Sequence, residues 1–181
     1  MRFPRWSPHS LRVLLWAMAV SLGVSVHAVD VHAQGPADTA ADANAFLDRF
    51  VGHWTGEGKG DDGAAIGDDL ECERVLDGTF LFMRDAAIGG TFKSDTYLAY
   101  NAAAGRYELY TFNNNLALAS GLPARVMTGR RDGNRLIVEE SAGAGALRYT
   151  YEFLDKDSFR LTKAPLAGSG PAIVLETFRR K

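Results

Sequence analysis

The chain has 181 residues but only one cysteine, Cys72, and four histidines, of which only His53 lies beyond residue 33. A single cysteine excludes an intramolecular disulfide and every metal site built from several thiolates. No cysteine directly follows the apolar N-terminal run, so a lipobox is excluded too. With one histidine downstream, neither a Ser-His-Asp nor a Cys-His arrangement can be assembled at a cavity mouth, and His/Cys zinc sites fall with them. Basic runs are also missing: nothing is longer than Arg179, Arg180 and Lys181, so no nucleic-acid footprint is present. No D-x-D-x-D-G order occurs, and Asp61, Asp62, Asp68 and Asp69 read as a solvated hairpin tip rather than a calcium loop. The carboxylate pairs Glu71/Glu73 and Glu139/Glu140 read as solvent-facing, so no glycosidase-type pair is expected.

What is present begins with Arg2, Arg5 and Arg12 ahead of an apolar run from Val13 to Val26, too short for a comfortable membrane span. This pattern predicts a secretory signal peptide over residues 1–33. Cleavage is expected after Ala33, with Ala28 as the alternative, and the product would have no stable membrane span. Removing residues 1–33 takes away three of 20 basic and one of 22 acidic residues, leaving 17 against 21 and a net charge of −4. An exported, periplasmic or secreted protein follows as the expectation. Residues 34–44 read as a flexible lead, and residues 45–181 as one domain.

Within that domain, Phe46, Leu47, Phe50 and Val51 share a helical face over residues 45–51, and Gly52 is placed to end the helix in a left-handed turn. Beyond Trp54 the helical period disappears. Runs rich in Val, Tyr, Phe and Thr take its place, over residues 53–59, 69–76, 79–87, 91–100, 106–112, 116–121, 125–131, 135–140, 146–154, 158–163 and 172–180. That is about ten strands. Asp77-Gly78 and Asp132-Gly133 are hairpin dipeptides, and Asp155-Lys156-Asp157 separates two alternating strands. Leu147, Tyr149, Tyr151 and Phe153 alternate with Arg148, Thr150 and Glu152, so one sheet face is apolar and the other wet. A meander of this length loses both exposed edges by closing. The expected fold is therefore an all-β, closed antiparallel up-and-down barrel with a short N-terminal plug helix, wide enough for a ligand cavity.

The Gly52-x-Trp54 pair resembles the G-x-W signature of the lipocalin and fatty-acid-binding (calycin) group. The longer F-V-G-H-W-T-G-E-G is similar to nitrobindin-type barrels and to a bacterial, often exported, lipocalin-like family of unknown function. V-L-D-G-T-F-L (75–81) and A-Y-N-A-A-A-G-R-Y-E-L-Y (99–110) resemble further segments of that family, and the likeness extends from Phe46 to about Phe112. The resemblance implies a small barrel and carries no activity. Nitrobindin-type barrels hold haem through a late-strand histidine, which this chain lacks. His53 reads as a structural imidazole at the closed end, and no cofactor or metal is expected.

Trp54 is large enough to plug the narrow end, its N–H wants a partner there, and an arginine of the last strand can lie over its face. Arg179 is preferred for that stack, on the face of Ile173 and Leu175, with Arg180 as the alternative. Cys72 reads as a small buried hydrophobe. Arg74, Phe82, Tyr97, Tyr110 and Tyr151 are the candidate cavity residues, a mostly apolar set with a polar orienting group. The expected function is a binding or carrier barrel for a small, largely apolar molecule, not an enzyme. A cell-envelope interaction module with a filled barrel is the alternative, and a haem-binding or isomerase-like enzyme ranks behind both. Oligomeric state is not readable.

Overall fold

The computed structural model describes residues 38–60, 62–114, 124–141, 145–167 and 172–181. Its elements are α1 (Ala40–Asp48), β1 (Gly52–Gly60), β2 (Ala65–Val75), β3 (Phe80–Ala87), β4 (Lys93–Asn101) and β5 (Arg106–Asn113). They continue with β6 (Ala124–Asp132), β7 (Arg135–Glu140), β8 (Leu147–Phe153), β9 (Ser158–Pro165) and β10 (Val174–Arg180). Each strand pairs antiparallel with its neighbours in sequence, and β1 pairs with β10 from Trp54 opposite Arg180 to Gly60 opposite Val174, which closes the barrel. The expected closed meander is therefore the fold. Residues 1–33, expected to be a signal peptide, and the expected strand at 116–121 lie outside the described residues.

The helix starts five residues earlier than its apolar face suggested. Thr39 is the N-cap, its hydroxyl accepting from the Asp42 N–H at 3.1 Å, and Asp42 sits in the first turn where a carboxylate favours the helix dipole. The alanine-rich lead is thus helix from Ala40 onward, with Ala43 completely buried. Asp38 anchors it further. The Tyr107 hydroxyl donates to Asp38 Oδ2 at 2.7 Å, the Tyr100 hydroxyl donates to the Asp38 carbonyl at 2.6 Å, and Arg131 pairs with Asp38 Oδ1. The helix stops at Asp48, with Arg49 as a C-cap in ordinary right-handed geometry. Gly52 does not end it: this residue opens β1 at φ +135°, and Val51 is exposed rather than part of the buried face.

Ala43, Phe46 and Leu47 of α1, and Phe50 after it, close one end of the barrel. The Phe50 ring lies 4.6 Å from Phe153 and 5.3 Å from Phe159, and Phe159 stacks on Phe178 at 4.8 Å. Trp54 is fully buried against this cluster, its ring 5.0 Å from Phe159, and its indole N–H donates to the Phe50 carbonyl at 2.7 Å. Burying so much aromatic area is what holds a helix too short to be stable alone.

The arginine over Trp54 is Arg180, not Arg179. The Arg180 guanidinium carbon sits 4.1 Å from the ring centroid, while Arg179 is exposed. The inner face of β10 is Val174, Glu176, Phe178 and Arg180, and Leu175 lies outside, half exposed. A carboxyl at position 176 disguised that phase.

Candidate functional site

The inner face changes character along the barrel axis. Near α1 it is aromatic and filled. Toward the opposite end, where β1 finishes at Gly60 and β4 begins at Lys93, acids and hydroxyls replace the rings.

Asp68 of β2 lies on the same face as Leu70 and Cys72, and Asp85 of β3 on that of Leu81 and Met83. Glu176 of β10 is on the face of Phe178. Between β10 and β2 runs β1, whose residues at this level are Gly56, paired with Phe178 and Asp68, and Gly58, paired with Glu176 and Ile66. A Cβ on Gly56 would lie 2.5 Å from Glu176 Oε1 and 2.7 Å from Phe178 Cε1. The missing side chain leaves room for the Glu176 carboxyl, and the buried Asp68 carboxyl lies near enough to act on it. Burial, then the Asp68 charge, pushes the Glu176 carboxyl up to about 8. Burial, again followed by Asp68, pushes Asp85 up to about 7. Lys163 of β9 is the cation facing both, and its Nζ lies 5.4 Å from the centre of the Tyr149 ring.

Beside Asp85 is a cavity of about 50 Å³. Its apolar floor includes Leu70, Tyr151 and Phe178, and its polar wall includes Asp85, Thr96 and Lys163. The Thr96 hydroxyl donates to that of Thr111 at 2.8 Å. Such a volume holds a few waters or one very small guest and is far below the roughly 300–1,000 Å³ of drug-sized pockets.

Of the five cavity residues expected from sequence, only Tyr151 lines this space. Its burial, with Tyr149 and Asp85 nearby, pushes the phenol pKa up and keeps it protonated. Arg74 faces inward at the plug end, where it donates to Asp48 Oδ1 at 2.8 Å and to the Asn44 carbonyl at 2.7 Å; it fastens α1. Phe82, Tyr97 and Tyr110 stand on the outer wall. Phe82 is opposite Tyr97, and Tyr97 opposite Tyr110, on the face away from the buried Leu81, Leu98 and Leu109. Gly52 opens β1 instead of ending the helix, and Trp54 is buried two residues beyond it at the α1 end.

Other readings change with the fold. His53 points outward, 68% exposed, with Nε2 3.9 Å from Glu71. Asp68 is not at a solvated tip, because β2 begins at Ala65 and carries it inside. Glu140 is not solvent-facing either: it pairs with Arg125 at 2.7 Å and accepts from the Leu147 N–H at 2.8 Å. Cys72 is buried as expected, and burial raises its thiol pKa, which keeps it inert. Among the described residues no three His, Cys, Asp or Glu side chains form a group able to hold a metal ion.

No protein-family model and no curated protein matches the chain. Among solved structures it is similar to a redesigned β-barrel at 9% identity and a TM-score of 0.36, over 81% of this chain and 99% of that one.

Proposed function

We propose that the protein is an exported, lipocalin-like binding barrel that takes a small guest at the end opposite α1 and performs no chemistry on it. The observation that carries this reading is the interior gradient, from a dry aromatic plug around Trp54 to a cavity walled by Asp85, Thr96 and Lys163. A barrel needing only to be filled has no use for buried acids, which cost stability unless a partner meets them. The lining shifts the expected guest from largely apolar to small and polar. Binding is favoured over catalysis because Cys72 and Tyr151 are both held protonated by burial, and His53, the one histidine among the described residues, faces outward. Export is supported by the basic-then-apolar start of the chain.

Native mass spectrometry of protein purified from the exporting host tests the reading. A co-purifying small mass, displaced on mild activation, is expected; a bare mass, with no resonance near Asp85 or Thr96 perturbed across a panel of small polar fragments, would favour an envelope interaction module. The cavity's small volume is what keeps that second reading in view.

A further inference from the structure

We propose that Asp85, backed by the buried carboxyls of Asp68 and Glu176, recognises a small organic ammonium cation held at the open end of the barrel. This rests on the binding reading above and names the chemistry of the guest.

Glu176 is 1% exposed, yet neither of its carboxyl oxygens receives a hydrogen bond from a donor group of the protein. Asp85 Oδ1 is also buried without a partner. Buried acceptors left without donors are rare and costly, and each one calls for a donor that the folded chain does not supply. The nearest neighbour of Glu176 is another acid, Asp68, itself buried. Keeping its proton gives Glu176 a way to exist in isolation, but leaves its carboxyl oxygens without a donor.

The charged and titratable groups facing the cluster are Lys163 from β9, Tyr149 and Tyr151 from β8, and Cys72 from β2. Three carboxyls thus face one ammonium. That ammonium lies over the Tyr149 ring, and its attraction leaves both Asp85 and Glu176 with raised pKa values. The unpartnered oxygens call for N–H or O–H donors, and a donor that also carries positive charge would hold the acids in their ionised form. A primary ammonium brings three donors on one atom. The cavity of about 50 Å³ fits such a headgroup with one or two carbons; Asp85 lines it, and Asp68 and Glu176 act on it from behind. Tyr151 and Phe178 in its wall provide ring surface for the alkyl part and for a cation–π contribution.

Occupation by a cation favours the ionised acids, so binding expels protons and strengthens as pH rises through the range in which Asp85 and Glu176 titrate. The full chain should be titrated calorimetrically with methylammonium, methanol and acetate at about pH 6 and about pH 8.5, in buffers of different ionisation enthalpy. Saturable binding of methylammonium alone is expected, about tenfold tighter at the higher pH and with proton release. Glu176→Gln and Asp85→Asn should each weaken it about tenfold, and Lys163→Met, which removes the competing internal cation, should strengthen it. Near-UV circular dichroism checks that each variant is folded. If Asp85→Asn is not, Glu176→Gln and the pH dependence decide.

Acetate binding in place of methylammonium would overturn the proposal in favour of Lys163 as the recognition group, with the binding barrel intact. Methylammonium binding unmoved by Glu176→Gln and by pH would overturn it as well. Saturation by none of the three probes would also overturn it, and the native mass then decides separately whether the barrel binds anything.

Discussion

Arg180 lies over the face of Trp54, its guanidinium carbon 4.1 Å from the ring centroid, and from there it donates to the carbonyls of Val51 and Arg49. The last strand is thereby tied to the turn that joins α1 to β1. A cation–π contact contributes about 0.5–2 kcal/mol, and the two carbonyls would lose charged donors as well. Arg180→Ala is expected to destabilise the barrel by about 2–3 kcal/mol in urea unfolding. Arg179→Ala, at an exposed position, should stay within about 0.5 kcal/mol. Equal effects of the two substitutions would show that the plug does not depend on this stack.

Gly52 makes that stack possible. At φ +135° the position is strained for any side chain, and a Cβ there would overlap the Arg180 guanidinium. Gly52→Ala should therefore lower stability by about 1–3 kcal/mol from backbone strain alone. It should also blue- or red-shift Trp54 emission, since the arginine must move off the ring. In an Arg180→Ala background the alanine at position 52 should cost less, because the steric part of the penalty has gone. Additivity in this double-mutant cycle would disprove the coupling.

Much of the barrel was legible because its strands announce themselves: alternation in β8 and the Asp77-Gly78 and Asp132-Gly133 turns depend on neighbours in sequence. The failures share a different cause. Ala43 is buried in a core cluster built mostly from residues far away in sequence, so an alanine-rich stretch read as a loose lead. Leu81, Phe82 and Met83 are all buried, and hydrophobicity alone could not tell that Phe82 faces outward under the Arg84 guanidinium, 5.1 Å from its ring. Asp68, Asp85, Lys163 and Glu176 were missed as site residues because an inward acid breaks the apolar alternation. A usable signal existed nonetheless: Asp68 is in phase with Leu70 and Cys72, Asp85 with Leu81 and Met83, and Glu176 with Phe178. What no local pattern contains is the meeting of Asp68 and Glu176 across the bare Gly56.

The anchoring of Asp38 gives a third expectation. Its carboxylate accepts from Tyr107 and pairs with Arg131, and its side chain is only 11% exposed. Asp38→Ala would leave a partly buried guanidinium and a phenol hydroxyl without their acceptor, at a cost of about 1–3 kcal/mol. Tyr100→Phe removes only a neutral bond to the Asp38 carbonyl and should cost about 1 kcal/mol. Hydrogen exchange in α1 should accelerate in Asp38→Ala while β8 and β9 amides remain protected. Unchanged exchange in the helix would remove the anchor from this account.

The buried acids set the direction of the pH dependence of stability. Glu176 and Asp85 have folded-state values near 8 and 7, raised from ordinary carboxyl values by burial and by Asp68. Between the unfolded and folded values the native state binds more protons than the unfolded chain, so stability must fall as pH rises through that interval. The contribution is complete below about pH 4, where both states are protonated, and is lost by about pH 8 to 9, where both are ionised. Glu176→Gln keeps the shape of the side chain and removes its titration, so the decline between about pH 5 and about pH 8 should become shallower. Gly56→Ala should act on the same pair by a different route: its methyl would displace Glu176 Oε1, now 2.5 Å from the Cβ position, and separate it from Asp68. Urea unfolding midpoints across this range provide the measurement. A wild-type midpoint that climbs with pH, or a slope that Glu176→Gln leaves untouched, would mean that the interior acids are ionised in the folded barrel, and that an internal cation such as Lys163 already answers their charge.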